Sequence, residues 1–265
     1  MRALPGAVVA FSGGVDSAVL LHACAHALAG RVLAVTADSP SLPRAVLEEA
    51  RRFARELGVR HLVVATRELE RAGYRRNDSD RCYHCKTELF TALAGELRGR
   101  PEAAWPVLYG AIADDLTDHR PGARAAAEHG VRAPLADAAW SKEDVRAYAR
   151  AHGLPVADKP SFACLASRVP YGTAVDAAVL ARIEAAEAVL RSLGYAQFRV
   201  RHHGDVARVE LLPQDIARAA QSDRERIAAG IRAAGYAYVA LDLVGYRTGA
   251  MNEVLRASRS ALTDP

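Results

Sequence analysis

Three stretches of this 265-residue chain hold residue types whose spacing could do chemistry. The first is Ser12-Gly13-Gly14-Val15-Asp16-Ser17. Paired glycines let a backbone turn sharply and come close to a ligand. A helix starting there would offer an anion its unpaired N–H groups and positive dipole end. Ser12 and Ser17 add hydroxyl donors, whereas Asp16 suits a metal ion or the orientation of the loop rather than a bare phosphate. No Gly-Lys-Ser/Thr is present, so this is not the lysine-bearing loop of P-loop NTPases. Taken alone, Ser-Gly-Gly also fits a glycine turn with a helix cap. The setting of the whole hexapeptide, between an apolar run and a helical stretch, favours the phosphate reading.

The second stretch is Arg81-Cys82-Tyr83-His84-Cys85-Lys86. Its C-x-x-C spacing fits a reversible disulfide, two buried thiols, or zinc with His84 or a further Cys as ligand. Without a secretory signal, metal, cluster or redox chemistry is favoured. The third runs from Lys159 to Gly172 and holds Cys164, Ser167 and Arg168. A cation four residues from a thiol favours the thiolate, the form that reacts or binds metal. Cys24, inside an Ala-rich helical segment, is expected to be a small core residue. Arg199-Val200-Arg201 alternates on an expected strand, so both Arg share a face, with His202 and His203 following. By periodicity alone those Arg would be a solvated strand face.

These residues need a frame to hold them. Apolar runs at Ala7–Phe11, Val32–Ala37, His61–Ala65 and Val107–Ala111 read as buried strands. Between and after them, helical patterns cover Ser17–Leu28, Pro43–Leu57, Glu88–Leu97, Gly122–His129 and Lys142–His152. Ser141, with Glu143 and Asp144 in the first turn, marks the start of the last of these. Such β-α repetition implies a parallel sheet with helices on both faces. The pattern breaks over Leu154–Thr173, a segment too long for an ordinary connector. Then come a helix at Ala177–Leu193, paired strands at Phe198–His202 and Val206–Leu212, a helix at Asp215–Ala234 and a strand at Tyr238–Leu243. The expected domains are 1–174, an α/β unit, and 175–265, a smaller α+β unit.

Composition excludes several classes. There are 35 Lys and Arg against 31 Asp and Glu, a net charge of +4, and the signs are interleaved. That argues against a nucleic-acid track and leaves room for a local anionic pocket. Only Lys86, Lys142 and Lys159 are lysines. Four Cys are too few for a disulfide scaffold. No apolar run reaches the roughly 18 residues of a membrane helix. Met1–Phe11 is apolar only for a strand's length before Ser-Gly-Gly, which does not read as a signal peptide. The chain is read as soluble and cytoplasmic, with no nucleic-acid or membrane partner.

In that frame the hexapeptide resembles the pyrophosphate loop of the ATP pyrophosphatases, the PP-loop group with an adenine nucleotide α-hydrolase-like fold. GMP synthetase, NAD synthetase and tRNA thiolation enzymes belong to it. The resemblance implies ATP cleaved between the α and β phosphates, an adenylated substrate, and Asp38 and Ser39 near the nucleotide, at the carboxyl end of a strand. More specifically, five segments in order resemble the LarE family over roughly residues 5–255. They are the loop, Arg81–Phe90, Ala113 through Gly122, the Cys164 segment to Gly172, and Tyr246–Leu255. LarE proteins are ATP-dependent sulfur transferases that make the nickel-pincer nucleotide cofactor of lactate racemase.

The resemblance implies a pyridinium-3,5-biscarboxylate mononucleotide as substrate, with ATP and Mg²⁺ as cofactors. Ser12, Gly13, Gly14, Asp16, Ser17, Asp38, Ser39, Asp114 and Asp115 would bind the nucleotide. Arg199, Arg201 and Arg247 would hold the substrate phosphate, Cys164, Ser167 and Arg168 would be the catalytic residues, and Glu187 and Glu210 would lie near the substrate. Glu187 also fits an exposed helix charge. Family members divide by sulfur source. In one type the Cys at the position of Cys164 gives up its own sulfur; in the other, three Cys hold a [4Fe–4S] cluster with an open iron. Cys82, Cys85 and Cys164 together favour the cluster. One departure stands out: the family run G-x-N-A-D-D has Ile112 in place of Asn, which puts one polar contact in doubt. Hexameric assembly is expected by resemblance alone. A tRNA thiolation enzyme would need a more basic surface, and an amidotransferase would need a glutaminase domain that this length does not hold. A catalytically silent nucleotide-binding or metal-sensing module is the remaining alternative.

Overall fold

The first apolar run forms β1 (Ala7–Ala10), all four residues of which are buried. α1 (Val15–Leu28) follows the glycine loop, and β2 (Val32–Asp38), α2 (Arg44–Glu56) and β3 (Arg60–Ala65) repeat the unit. Next come α3 (Ala72–Arg76), α4 (Arg81–Leu97), β4 (Val107–Tyr109), α5 (Pro121–Glu128), α6 (Pro134–Asp137) and α7 (Lys142–Ala151). The computed structural model describes residues 1–116, 121–160 and 163–247. Its larger sheet has the order β3-β2-β1-β4 with every pair parallel. Alternation along β1 decides which helices cover which face. Ala7, Val9 and Phe11 pack with residues of α1, α2 and α7, whereas Val8 packs with Leu93 and Leu97 of α4. The sheet is therefore covered on both faces, as the β-α repetition implied.

The second unit contains α8 (Ala177–Ser192), β5 (Phe198–His203), β6 (Val206–Leu211), α9 (Ile216–Gln221), α10 (Arg224–Ala233) and β7 (Tyr238–Leu241). Its sheet, β5-β6-β7, is mixed: β5 and β6 are antiparallel, β6 and β7 parallel. Its own core gathers Leu190, Val200, Val209, Leu211 and Ile231. The fold class expected from sequence, a parallel α/β unit followed by a small α+β unit, is the one observed.

Three local details differ from the sequence expectation. Contacts divide the chain at Met1–Phe162 and Ala163–Pro265, earlier than 174. The reason is that Leu165, Ala166 and Arg168 are buried, and Arg168 bonds to Glu187 of α8, so this segment packs as part of the second unit. The helix expected from Glu88 starts at Arg81, which puts Cys82 and Cys85 inside α4. The helix expected over Asp215–Ala234 breaks at residues 222–223. There the buried Asp223 carboxylate accepts a hydrogen bond from Tyr195 Oη (2.9 Å) and pairs with Arg218 (3.0 Å), satisfying itself outside the helical ladder. Among the described residues, no helix is long and apolar enough to cross a membrane.

Candidate functional site

The sheet order reverses between β1 and β4, and in open α/β sheets ligands bind at the carboxyl ends of strands beside such a switch point. The Ser12–Ser17 loop lies there, between the end of β1 and the start of α1. It closes on itself through Ser17, whose hydroxyl donates to Gly14 O (3.0 Å) and accepts from Ser12 N–H (3.2 Å) and Ser12 Oγ (3.1 Å). Gly13 has φ +75°, a conformation open to glycine at little cost. Gly110, just after β4, is required for another reason. A Cβ there would lie 2.7 Å from Ser17 N, so only glycine lets β4's end pass the first turn of α1.

Two lysines complete the loop's surroundings, and neither stands out in the sequence as a site residue. Lys142 Nζ donates to both oxygens of Asp16 (2.6 and 2.7 Å), and the Lys142 backbone N–H donates to Asp114 Oδ2 (2.9 Å). Lys142 opens α7, held in place by a capping box between Ser141 and Asp144. Lys159 Nζ donates to Gly13 O (3.0 Å) and Glu49 Oε2 (2.6 Å). Their scarcity was the available signal: two of the chain's three lysines sit on one loop. The oxygen donors of Asp16 and Asp114 fit a hard cation such as Mg²⁺.

The other expected nucleotide residues fall at the same edge of the sheet. Asp38 ends β2 and pairs with Arg44, while Ser39 bonds to the buried Glu68 and to Ser41 Oγ (2.8 Å). Asp115 Oδ2 accepts from Ile112 N–H (3.2 Å). Ile112 itself is 1% exposed and packs in the core with Leu108, Leu135 and Leu154. This chain thus fills with an apolar side chain the position where the family pattern has Asn.

The cysteines separate by environment. Cys24 is fully buried, and burial pushes its thiol up to about 12, so it is an inert core residue as expected. Cys82 and Cys85 lie one turn apart on α4, exposed and half-buried, and Cys164 on the second unit is half-buried. None of the four is in a disulfide. His84, which the spacing allowed as a zinc partner, lies 3.3 Å from Asp80 Oδ2. In donor chemistry the accessible thiols suit an iron–sulfur cluster. Among the described residues, however, no three His, Cys, Asp or Glu are grouped as a metal would need.

On the second unit the sequence-derived residues converge in one buried network. Arg168 is 1% exposed and grips Glu187 with two bonds (2.8 and 3.1 Å). Its Nη1 also donates to Ala163 O (2.6 Å), Cys164 O (3.0 Å) and Ser167 Oγ (2.9 Å). Glu187 additionally accepts Val200 N–H (3.1 Å), so it is no exposed helix charge. Arg201 bonds bidentately to Glu210 (2.9 and 2.8 Å) and to Ser167 O (2.9 Å). Arg199 is not on a solvated face either: it is 8% exposed and lies over the Tyr246 ring. Burial, then the neighbouring Arg168 cation, lowers its guanidinium to about 10. Arg247 is exposed. Residues 248–255 of the last family segment, like residues 117–120 and 161–162, lie outside the described residues.

A strand, a Ser-Gly-Gly-x-Asp-Ser loop and a helix at the switch point of a parallel sheet define an ATP-using PP-loop domain. The comparisons agree. A family model described as queuosine biosynthesis protein QueC matches residues 6–86. An uncharacterised Synechocystis protein is 40% identical over 95% of this chain and 94% of its own length. The pyridinium-3,5-bisthiocarboxylic acid mononucleotide synthase of Lactiplantibacillus plantarum is 36% identical over 98% of this chain and 94% of its own. An uncharacterised Methanocaldococcus jannaschii protein is 26% identical over 91% and 90%. The chain belongs to the LarE family of ATP-dependent sulfur transferases.

Proposed function

We propose that this enzyme adenylates the carboxylates of pyridinium-3,5-biscarboxylic acid mononucleotide and converts them to thiocarboxylates, in the biosynthesis of a nickel-pincer nucleotide cofactor. One observation carries the reading: the near full-length similarity to a synthase named for pyridinium-3,5-bisthiocarboxylic acid mononucleotide. The chemistry needs activation because a carboxylate has no good leaving group. A carboxylate oxygen attacks the α-phosphorus of ATP, and the bond to the β-phosphate oxygen breaks with its electron pair leaving on pyrophosphate. A sulfur nucleophile then attacks the carbonyl carbon of the mixed anhydride, and AMP departs.

The chain's own residues have the following parts in this proposal. The N–H groups at the start of α1, with Ser12, Gly13, Gly14 and Ser17, hold the pyrophosphate. Asp16 would hold Mg²⁺ or orient the loop, the metal when bound offsetting phosphate charge, and Asp114 and Asp115 would bind the nucleotide. Asp38 and Ser39 flank the nucleoside. Arg199, Arg201 and Arg247 take the mononucleotide phosphate, and Ser167, Arg168, Glu187 and Glu210 shape the surrounding pocket. For sulfur, Cys82, Cys85 and Cys164 would ligate a [4Fe–4S] cluster, which when bound supplies an exchangeable sulfide at its open iron. The competing reading takes the sulfur of Cys164 itself. Its thiolate would form a thioester, and loss of the Cα proton with cleavage of Cβ–S would release the thiocarboxylate and leave dehydroalanine. The enzyme would act in the cytoplasm as a homo-oligomer, a hexamer by family resemblance.

The test is AMP and pyrophosphate release with and without the pyridinium mononucleotide. Release that does not depend on it would sink the substrate assignment. Anaerobically prepared protein should be brown and carry about four iron atoms per chain. Colourless, iron-free protein that loses the mass of one H₂S at Cys164 on turnover would establish the sacrificial route instead.

A further inference from the structure

The phosphate loop has no lysine of its own in sequence, yet Lys159, from far along the chain, reaches it. Its ammonium donates to the carbonyl of Gly13 (3.0 Å) and is held by Glu49 of α2 (2.6 Å). The loop lies against the same helix: a Cβ on Gly13 would sit 3.5 Å from Ala50 Cβ. Arg146 of α7 in turn fixes the backbone of Lys159 by donating to its carbonyl (3.1 Å). The Lys159 side chain is only 22% exposed, so this contact is partly shielded from water.

The contact matters because of which peptide it restrains. The Gly13 carbonyl and the Gly14 N–H belong to one peptide unit between two glycines, where rotation meets the least steric resistance. One orientation turns the carbonyl toward Lys159. Rotation of that peptide would turn the carbonyl toward a bound phosphate, replacing a donor by a repelling acceptor. Among the described residues the Gly14 N–H makes a long bond to Ser12 Oγ (3.4 Å). An ammonium on the carbonyl therefore fixes the loop in the anion-binding orientation before the ligand arrives. Two of the three N–H donors of the ammonium are used in this way, on the Gly13 carbonyl and on Glu49.

We propose that Lys159 is a positioning residue of the phosphate loop: anchored by Glu49, it locks the Gly13–Gly14 peptide in the orientation that receives the pyrophosphate portion of ATP. The proposal rests on the ATP-using reading of this loop. It predicts an effect confined to the β and γ phosphates, which a general packing role would not produce.

The test is calorimetric binding by the full chain of α,β-methylene-ATP, pyrophosphate and adenosine. Lys159→Met should weaken the first two about tenfold or more, as for loss of a charged hydrogen bond, and leave adenosine within about twofold. Lys159→Arg should recover most of the loss, and Glu49→Gln should weaken the phosphorylated ligands about threefold by freeing the ammonium. Amide exchange at residues 12–17 should quicken in Lys159→Met. Equal affinity of wild type and Lys159→Met for α,β-methylene-ATP overturns the proposal, as does an equal loss for all three ligands. Should Lys159→Met not fold, Glu49→Gln decides, and unchanged pyrophosphate affinity in it overturns the proposal. Failure of the unsubstituted chain to bind α,β-methylene-ATP would instead overturn the ATP reading of the loop.

Discussion

Removing Glu187 should unfold the second unit far more readily than removing any exposed carboxylate. Arg168 and Glu187 have side chains only 1% and 3% exposed, so neither charge is screened by water. Glu187→Ala would remove the carboxylate that two bonds tie to the buried guanidinium, and would strand the Val200 N–H. Breaking a buried ion pair in this way costs about 3–5 kcal/mol. For a unit near 100 residues, each kcal/mol moves Tm by about 4–8 °C, so its transition should fall by at least about 12 °C. The control is Glu225→Ala, whose carboxylate is 89% exposed and 3.6 Å from Arg224; an exposed pair of this kind contributes at most about 1 kcal/mol. Scanning calorimetry of the whole chain reads both, and amide exchange at Leu165–Arg168 localises the loss. The double variant Arg168→Met/Glu187→Leu should recover much of it, since it removes both charges together. The reasoning is refuted if Glu187→Ala costs under about 1 kcal/mol, or if the double variant is no more stable than the single one.

Two further outcomes concern a glycine beside the loop and a set of histidines. Gly110→Ala places a methyl 2.7 Å from Ser17 N and 2.9 Å from Ser17 Cα, backbone atoms that cannot swing aside. It should cost at least about 1–3 kcal/mol and weaken ATP binding, measured by calorimetry, because the first turn of α1 must shift. The second outcome concerns pH. Burial, then the His26 and His152 imidazoles, holds His22 below 6.5, and burial likewise lowers His61, His202 and His203. The unfolded chain therefore takes up protons that the folded one refuses. Stability is full above pH 6.5 and is lost as pH falls below it. Tm should decline from pH 7 to 5.5, and His22→Gln, which removes the imidazole bonded to Tyr148 Oη (3.0 Å), should flatten that decline; an unchanged slope would show that His22 does not drive it.

Much of the first unit is legible in the sequence because its signals are local. A glycine pair between an apolar run and a helical run places a loop at a strand's end, whatever the rest of the chain does. The Ser141 and Asp144 cap likewise fixes the start of α7 from residues three apart. The helix carrying Cys82 and Cys85 is longer than its pattern implies. Apolar periodicity starts at Leu89, while α4 starts at Arg81, around a buried Arg81 bonded to Asn77. The pattern at Asp215–Ala234 hides a break, because the partners of Asp223 include Tyr195, distant in sequence.

What sequence determined, then, is the inventory: an anion loop, a set of thiols, an Arg-rich strand and the β-α rhythm that frames them. Each comes from a residue type whose preference acts over a few neighbours. Tertiary structure decided the pairings. It put Lys142 on Asp16 and Lys159 on Gly13 across 126 and 146 residues, sent Ile112 into the core, and buried Glu187 against Arg168. No local pattern encodes those choices, because the free energy of a buried charge or a packed methyl depends on which distant group arrives beside it.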